Sequence, residues 1–262
     1  MNLNNISKKA KIGNNVFIGN YTVIEDDVVI GDNVYIGHGV MIYNGARIGE
    51  EVKIYHASTI GSIPNSVDYK GENTTVEIGA GTLIKEHTVI SKGTKHSYKT
   101  IIGENCFIMD NVHIGHDVII GNNVILTVGC SISGHVEIGN FANIGGMTGI
   151  HQFCRIGKYC MVPALTGIGK DIPPFSLAAR NPVRYISPNL IGLKRRGFSK
   201  EEIEEIKAVY NIIYYSGLNF SDAVKKVKED FEVKGNVKDI VDFIESSKRG
   251  LIPSLKEKGE DF

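Results

Sequence analysis

Tryptophan is absent from the 262 residues, cysteine occurs four times and proline seven, and 29 lysines and arginines cancel 29 aspartates and glutamates. With no net charge, nothing global draws the chain to nucleic acid or to an acidic membrane surface, so no nucleic-acid partner is expected and charged recognition must be local. No stretch approaches the ~20 apolar residues of a membrane span. The opening MNLNNISKKA lacks an apolar segment that could serve as a signal peptide. The expectation is therefore a cytoplasmic protein with no integral membrane segment. Glycine, by contrast, is abundant at thirty residues, which suits a chain that turns often.

The dominant pattern has a period of six. Positions that are multiples of six hold an aliphatic residue from Ile12 to Ile60, from Ile78 to Ile90 and from Ile102 to Ile168. The residue two places earlier is small or β-branched, as at Ala10, Val16, Thr22, Ser58, Thr82, Val112 and Thr148, so two positions per hexad point inward. The residue after the aliphatic one is most often Gly, at a corner that needs an unusual φ or a close approach. Strands this short cannot bury a face alone and must stack as a solenoid, three hexads to a triangular turn. Corner residues that break the Gly rule recur at a spacing of eighteen, as with Glu25 and Tyr43, Met109 and Thr127, and Ser133 and His151.

The pattern breaks at 62–76 and 92–100 and resumes in phase after each, so both segments read as loops thrown out of an intact prism, where binding residues concentrate. Cys106, Cys130, Cys154 and Cys160 all sit two places before a repeat aliphatic. They read as reduced packing residues, because even Cys106 and Cys160, which share a column, are three turns or roughly 14 Å apart. The prism spans 1–186. From 187 to 262 the pattern turns helical: Ser199 and Glu202 form a capping box ahead of Ile203, Ile206, Val209, Tyr210 and Ile213, with further helices expected near Ser221 and Val237. The tail KEKGEDF reads as disordered.

Three of the eight histidines are informative. His135 follows His116 by nineteen residues and precedes His151 by sixteen, so on an eighteen-residue turn all three fall within one position of a common column. His113 also faces outward, close to His116. A groove lined in this way supports either a general base or a zinc ligand set. Asp117 is a candidate to orient His116, although neighbours in a strand point to opposite faces.

The runs NVHIGHD (111–117), SGH (133–135), GGMTGIHQF (145–153) and GLKRRGF (192–198) resemble the UDP-N-acetylglucosamine acyltransferases, cytoplasmic hexapeptide-repeat enzymes that open lipid A synthesis. The resemblance implies a mainly β fold, a left-handed parallel β-helix with a C-terminal α-helical domain; the ordinary crossover rule would have said right-handed. It implies transfer of a 3-hydroxyacyl group from acyl carrier protein to the 3-hydroxyl of a UDP-sugar, without metal or cofactor, in a homotrimer with sites between neighbouring prisms. His116 would be the general base and the Gly134 amide the oxyanion donor. His113, His135, His151 and Gln152 would contact substrate, and Asn189, Arg195 and Arg196 would hold the nucleotide. Lys194, Arg180 and Arg184 could offer the basic surface that an acidic carrier protein requires.

The chain departs from the family pattern in places. In the first loop, Ser66 and Asp68 stand where the family presents Asp and Lys, with Lys70 displaced, so Asp68 is the candidate sugar contact. Ile191 replaces a glutamate of the nucleotide site. Ala164 and Pro182 replace a Gly and a His of the acyl-chain ruler, and the extra bulk at Ala164 predicts a shorter acyl chain. Competing readings are an N-acyltransferase for a UDP-3-amino-sugar, a zinc hydratase of the γ-carbonic anhydrase type, and a noncatalytic scaffold.

Overall fold

The computed structural model describes residues 3–255; the KEKGEDF tail lies outside them. From the first strand to Gly167–Ile168, the chain coils through strands of two to four residues. Each strand pairs in parallel with the strand one coil on, as in Val23↔Met41 and Ile24↔Ile42. Among the described residues the coils build three faces, and with two later strands added to the third these hold nine, eight and ten strands. The first face carries His113–Ile114, Ser131–Ile132 and Gly149–Ile150; the second carries Ile119–Ile120 and Glu137–Ile138; the third carries Ile125–Leu126 and Asn143–Ile144.

The aliphatic column fills the prism from Ile24 to Ile168, and Ile36, Ile54, Ile84, Ile108 and Ile144 are wholly buried. Each such side chain contributes ~1.5–3 kcal/mol by leaving water. Ile12, 38% exposed, and Ile18, half-buried, are less covered, because the first coil is an open end of the stack. The smaller inward residues have a second task. Corner carbonyls lie outside the strand ladders, and the hydroxyls satisfy them: Thr22 Oγ1 donates to Gly37 O at 2.9 Å, Thr82 Oγ1 to Gly103 O at 2.8 Å and Thr88 Oγ1 to Met109 O at 2.9 Å. Cys130 and Cys160 Sγ do the same towards Gly145 O (3.2 Å) and Pro173 O (3.0 Å). All four cysteines are free and buried; burial pushes the Cys154 thiol up to about 11 and the Cys160 thiol to about 12.

Of the two reasons offered for Gly after the aliphatic residue, close approach is the operative one. A Cβ at Gly19 would stand 2.7 Å from the backbone carbon of Gly37 on the next coil. The left-handed backbone angle falls two residues later, at Asn15, Asn33, Asn123, Asp117, His135 and Phe153, all with φ between 54° and 65°.

Both loops leave the prism at the edge between the first and second faces, after Thr59–Ser62 and Val89–Ser91. Pairing resumes beyond them, Ile60 opposite Ile90 and Ile78 opposite Ile102. At the far end Ser176–Ala179 extends the third face in parallel, and Arg184–Pro188 adds to it antiparallel. Four helices follow: α1 (Leu190–Arg195), α2 (Lys200–Tyr215), α3 (Phe220–Asp230) and α4 (Gly235–Glu245). The capping box at α2 is reciprocal, Glu202 N donating to Ser199 Oγ at 3.1 Å and Ser199 N to Glu202 Oε2 at 2.7 Å. Ile206, Val209 and Ile213 of α2 are buried with Val227 and Ile240. The Tyr210 hydroxyl donates to Pro174 O, tying α2 to the prism. Helix α1, six residues that end within GLKRRGF, has no apolar period to announce it as a separate element.

Candidate active site

Residues 115–118 turn the corner from the first face to the second, the same edge from which both loops emerge. Because Asp117 adopts φ 59°, it leaves the strand alternation that would have sent its side chain away from His116. Its Oδ2 lies 2.8 Å from His116 Nδ1. An ionised carboxylate only accepts, so Nδ1 carries the proton and the lone pair of the neutral ring sits on Nε2. Asp117 is almost wholly enclosed, its side chain 1% exposed. Burial by itself would raise its carboxyl, but donation from His116, Ser97 and Thr94 outweighs this and holds it well below the usual carboxylate range.

One coil on, Gly134 occupies the position equivalent to His116. A Cβ there would meet His116 Cε1 at 2.6 Å and Nε2 at 2.8 Å, so only glycine lets the imidazole lie in place. The Gly134 amide also lacks a cap. The equivalent amides of Asn14, Asn20, His38, Glu104 and Asn122 are each capped by a side chain one coil on, at 2.6–3.0 Å. No such partner meets the Gly134 amide among the described residues. A free N–H therefore lies on the coil against which the His116 ring packs.

His135 takes the position equivalent to Asp117, and its ring meets His116 edge-on at 5.0 Å. The next ring in the stack is Phe153, parallel to His135 at 4.4 Å, not His151. The His151 ring instead turns to the Gln152 carbonyl, with Nδ1 at 3.1 Å, and both residues are exposed. Burial lowers His135 below the ordinary imidazole value, opposed by the Asp117 charge and reinforced by His116 and His96; burial also lowers His113. His113 looks outward from the first face beside Val89 and Ser131.

The second loop supplies residues that periodicity did not single out. Thr94 and Ser97 bond to Asp117, and the His96 ring meets His135 at 4.6 Å. The signal available was a histidine between two hydroxyl residues in a segment out of phase. Asp68 is exposed in the first loop, which leaves the same edge nearer the start of the chain.

The remaining candidates lie elsewhere on the same chain. Asn189, Ile191, Arg195 and Arg196 line an open pocket of ≈ 620 Å³ against Phe141, Tyr159 and Met161 of the third face. Arg196 stacks over the Phe141 ring at 4.7 Å, and the Asn189 side chain caps α1 by accepting from Gly192 N at 3.2 Å. In a triangular prism the third face is opposite the edge that carries His116. Ala164 is exposed at the corner between the third and first faces, and Pro182 lines a recess of ≈ 260 Å³ with Gly167 and Arg184. Arg180 follows the strand Ser176–Ala179, and Lys194 lies on α1.

His116, Asp117 and His135 could in principle hold a metal ion, their ligand atoms lying within 4.8 Å of one another. The donor set fits poorly. Both Asp117 oxygens are engaged by the loop and His116 Nδ1 by Asp117, so a cation would have to displace a satisfied network. Those bonds count against the zinc reading, although among the described residues His135 Nδ1 is buried without a hydrogen-bond partner.

A model described as "Bacterial transferase hexapeptide (six repeats)" matches residues 9–44, 28–62 and 99–134. A second, "Udp N-acetylglucosamine O-acyltransferase; Domain 2", matches 171–252. The acyl-[acyl-carrier-protein]–UDP-N-acetylglucosamine O-acyltransferase of Sulfurihydrogenibium sp. is 48% identical over 97% of this chain and 94% of its own. Its counterpart from Chlorobaculum parvum is 52% identical over 94% and 93%. Among solved structures, the UDP-N-acetylglucosamine acyltransferase from Bacteroides fragilis is 44% identical with a TM-score of 0.93, covering 95% of this chain and 98% of that one. The Francisella novicida enzyme is 36% identical with a TM-score of 0.95, covering 98% and 94%. With these identities and this fold held over nearly the whole length of both chains, the chain belongs to the UDP-N-acetylglucosamine O-acyltransferase family.

Proposed function

We propose that the chain transfers a 3-hydroxyacyl group from acyl carrier protein to the 3-hydroxyl of UDP-N-acetylglucosamine, the first step of lipid A synthesis, as a cytoplasmic homotrimer. The observation that carries this is the His116–Asp117 pair, with the imidazole packed on Gly134, whose amide has no partner among the described residues. His116 Nε2 takes the proton of the sugar hydroxyl as its oxygen attacks the thioester carbon. The carbonyl oxygen gathers charge, which the Gly134 amide stabilises. Collapse of the tetrahedral species breaks the C–S bond, and the imidazolium returns its proton to the departing carrier thiolate. Asp117 fixes the tautomer and steadies the imidazolium.

Asp68, His113, His135, His151 and Gln152 are assigned to the sugar and acyl groups, and Asn189, Arg195 and Arg196 to the nucleotide, their guanidinium forks suited to phosphate. The opposition of the third-face pocket to the His116 edge supports completion of each site by a neighbouring copy, and Ala164 at another corner fits the same scheme. Arg180, Arg184 and Lys194 are assigned to the carrier protein. Extra bulk at Ala164 favours an acyl chain shorter than the family's long end, Pro182 being the other position assigned to the ruler.

A matrix of UDP-sugars, amino-sugar included, against acyl carrier protein thioesters of graded length, read by mass spectrometry, tests the assignment. Esterification of UDP-N-acetylglucosamine is expected, fastest with a chain below the longest; amide formation on the amino-sugar alone would refute it. Replacing His116 by Ala is expected to lower turnover by ~10²–10⁴ with assembly unchanged, since the ring supports no core. Near-normal turnover would remove His116 as the base.

A further inference from the structure

The Asp117 carboxylate is shared between the corner and the second loop, and the division of its oxygens is informative. Oδ1 accepts from Thr94 N at 3.1 Å, from Ser97 N at 3.2 Å and from the Ser97 hydroxyl. Oδ2 accepts from Thr94 Oγ1 at 2.7 Å and from His116 Nδ1 at 2.8 Å. The Thr94 hydroxyl and the His116 ring thus draw on one oxygen. The Asp117 amide donates to Thr100 Oγ1 at 2.9 Å, so the main chain that carries the carboxylate is held as well.

We propose that Thr94 and Ser97 are positioning residues of the His116–Asp117 pair: their donors pin the carboxylate and take up charge that would otherwise be concentrated on the imidazole. The inference rests on His116 being the base, and it extends the machinery to a loop that has no place in the six-residue pattern. Its physical core is competition. Each donor removed leaves more negative charge on the carboxylate, which then stabilises a protonated ring more strongly, so that a larger share of the rings already carries the proton near neutral pH and cannot take one from substrate. The burial of Asp117 sharpens the effect, because little water reaches the oxygens to replace a lost donor. The other titratable groups facing this pair are His135, with Nδ1 3.9 Å from Asp117 Oδ2, and His96 against His135.

The two residues should not be equal. Thr94 shares its oxygen with His116 and is only 8% exposed. Ser97 binds the other oxygen and is exposed, so water makes up part, though not all, of what its hydroxyl supplies. Thr94→Val, which keeps the shape and loses the hydroxyl, should therefore have the larger effect.

The test uses the full-length assembled protein carrying [¹³Cε1]histidine, followed from about pH 5 to about pH 9. Two quantities are read: kcat/KM for acyl transfer, and the titration of the His116 ring resonance, identified by its loss in His116→Asn. In Thr94→Val both the acid limb of the rate profile and the ring midpoint are expected to rise together by about half a unit to one unit, and in Ser97→Ala by less. Turnover lowered equally at every pH, with the ring midpoint unmoved, would make the loop a structural prop and overturn the proposal. Should Thr94→Val fail to assemble, Ser97→Ala at its exposed position carries the same test: a raised midpoint supports the proposal, an unchanged one overturns it. The ring titration needs no substrate. A protein without transferase activity would refute the functional reading while leaving this result legible.

Discussion

Asp117 reaches His116 because a left-handed backbone angle at the corner turns its side chain out of the strand alternation. Gly134 then sets where the ring lies. In Gly134→Ala the new methyl group would meet the imidazole itself, a side chain that can swing aside, so the fold should survive while the base is displaced. Turnover is expected to fall on the order of 100-fold with little change in melting temperature; retained turnover would show that the ring tolerates the shift. Two neighbouring histidines give a separate prediction. Burial holds His113 and His135 below the ordinary imidazole value. As pH falls through about 6.5 the unfolded chain takes up protons at these positions that the folded chain refuses, so stability declines with falling pH. Melting temperature should drop between about pH 7 and about pH 5, and the drop should be shallower in a His113→Gln/His135→Gln variant; an unaltered slope would contradict it. The column of His116 and His135 was legible from spacing alone. Thr94, His96 and Ser97 were not, since a residue in a loop carries no phase to say where it returns.

Among the elements, the glycines of the prism separate into those that follow a repeat aliphatic, such as Gly19, and those that precede one, such as Gly149. Gly19 faces the backbone of Gly37 and His38 at 2.7 Å, whereas nothing lies within 4 Å of a Cβ placed on Gly149. Gly19→Ala should therefore cost about 1–3 kcal/mol by forcing two coils apart. Gly149→Ala should be neutral or stabilising by ~0.4–1 kcal/mol through the unfolded chain. Denaturant unfolding of the pair checks this, and equal costs would mean that coil spacing does not set the preference. The inward strands were legible because a period of six has no helical counterpart, and α2 because Ser199 and Glu202 announce its start. Helix α3 begins with Asn219 as its cap and α4 at Gly235, slightly ahead of the expected starts near Ser221 and Val237. The short α1 was hidden because it is organised by the Asn189 cap and the third-face pocket rather than by an apolar stripe.

For the whole molecule, the distribution of groups over the prism matters most. His116 stands on one edge and Arg195 and Arg196 on the opposite face, so the proposed sites require two chains. Mixing a His116→Ala chain with an Arg195→Ala chain, each nearly inactive alone, should then restore activity in about one quarter of the sites of randomly assembled trimers. No recovery on mixing would place a whole site in one chain. Spacing along a single sequence ranks residues within a turn, and it is silent on which copy supplies the other half of a site.

The recurrent left-handed corner also bears on how such a surface can diversify. Along one edge the same backbone position holds a carboxylate at Asp117, an imidazole at His135 and a phenyl ring at Phe153, with φ of 59°, 61° and 65°. The spacing of these rungs comes from the parallel ladder beneath them and not from the groups they display. Each rung can exchange its chemistry while its neighbours keep their places, and a long excursion such as 92–98 can be spliced in at a rung without altering the pitch. Reactivity on this prism is thus a set of fittings on a fixed rail, and new specificities are reached by refitting single rungs while the rail stays as it is.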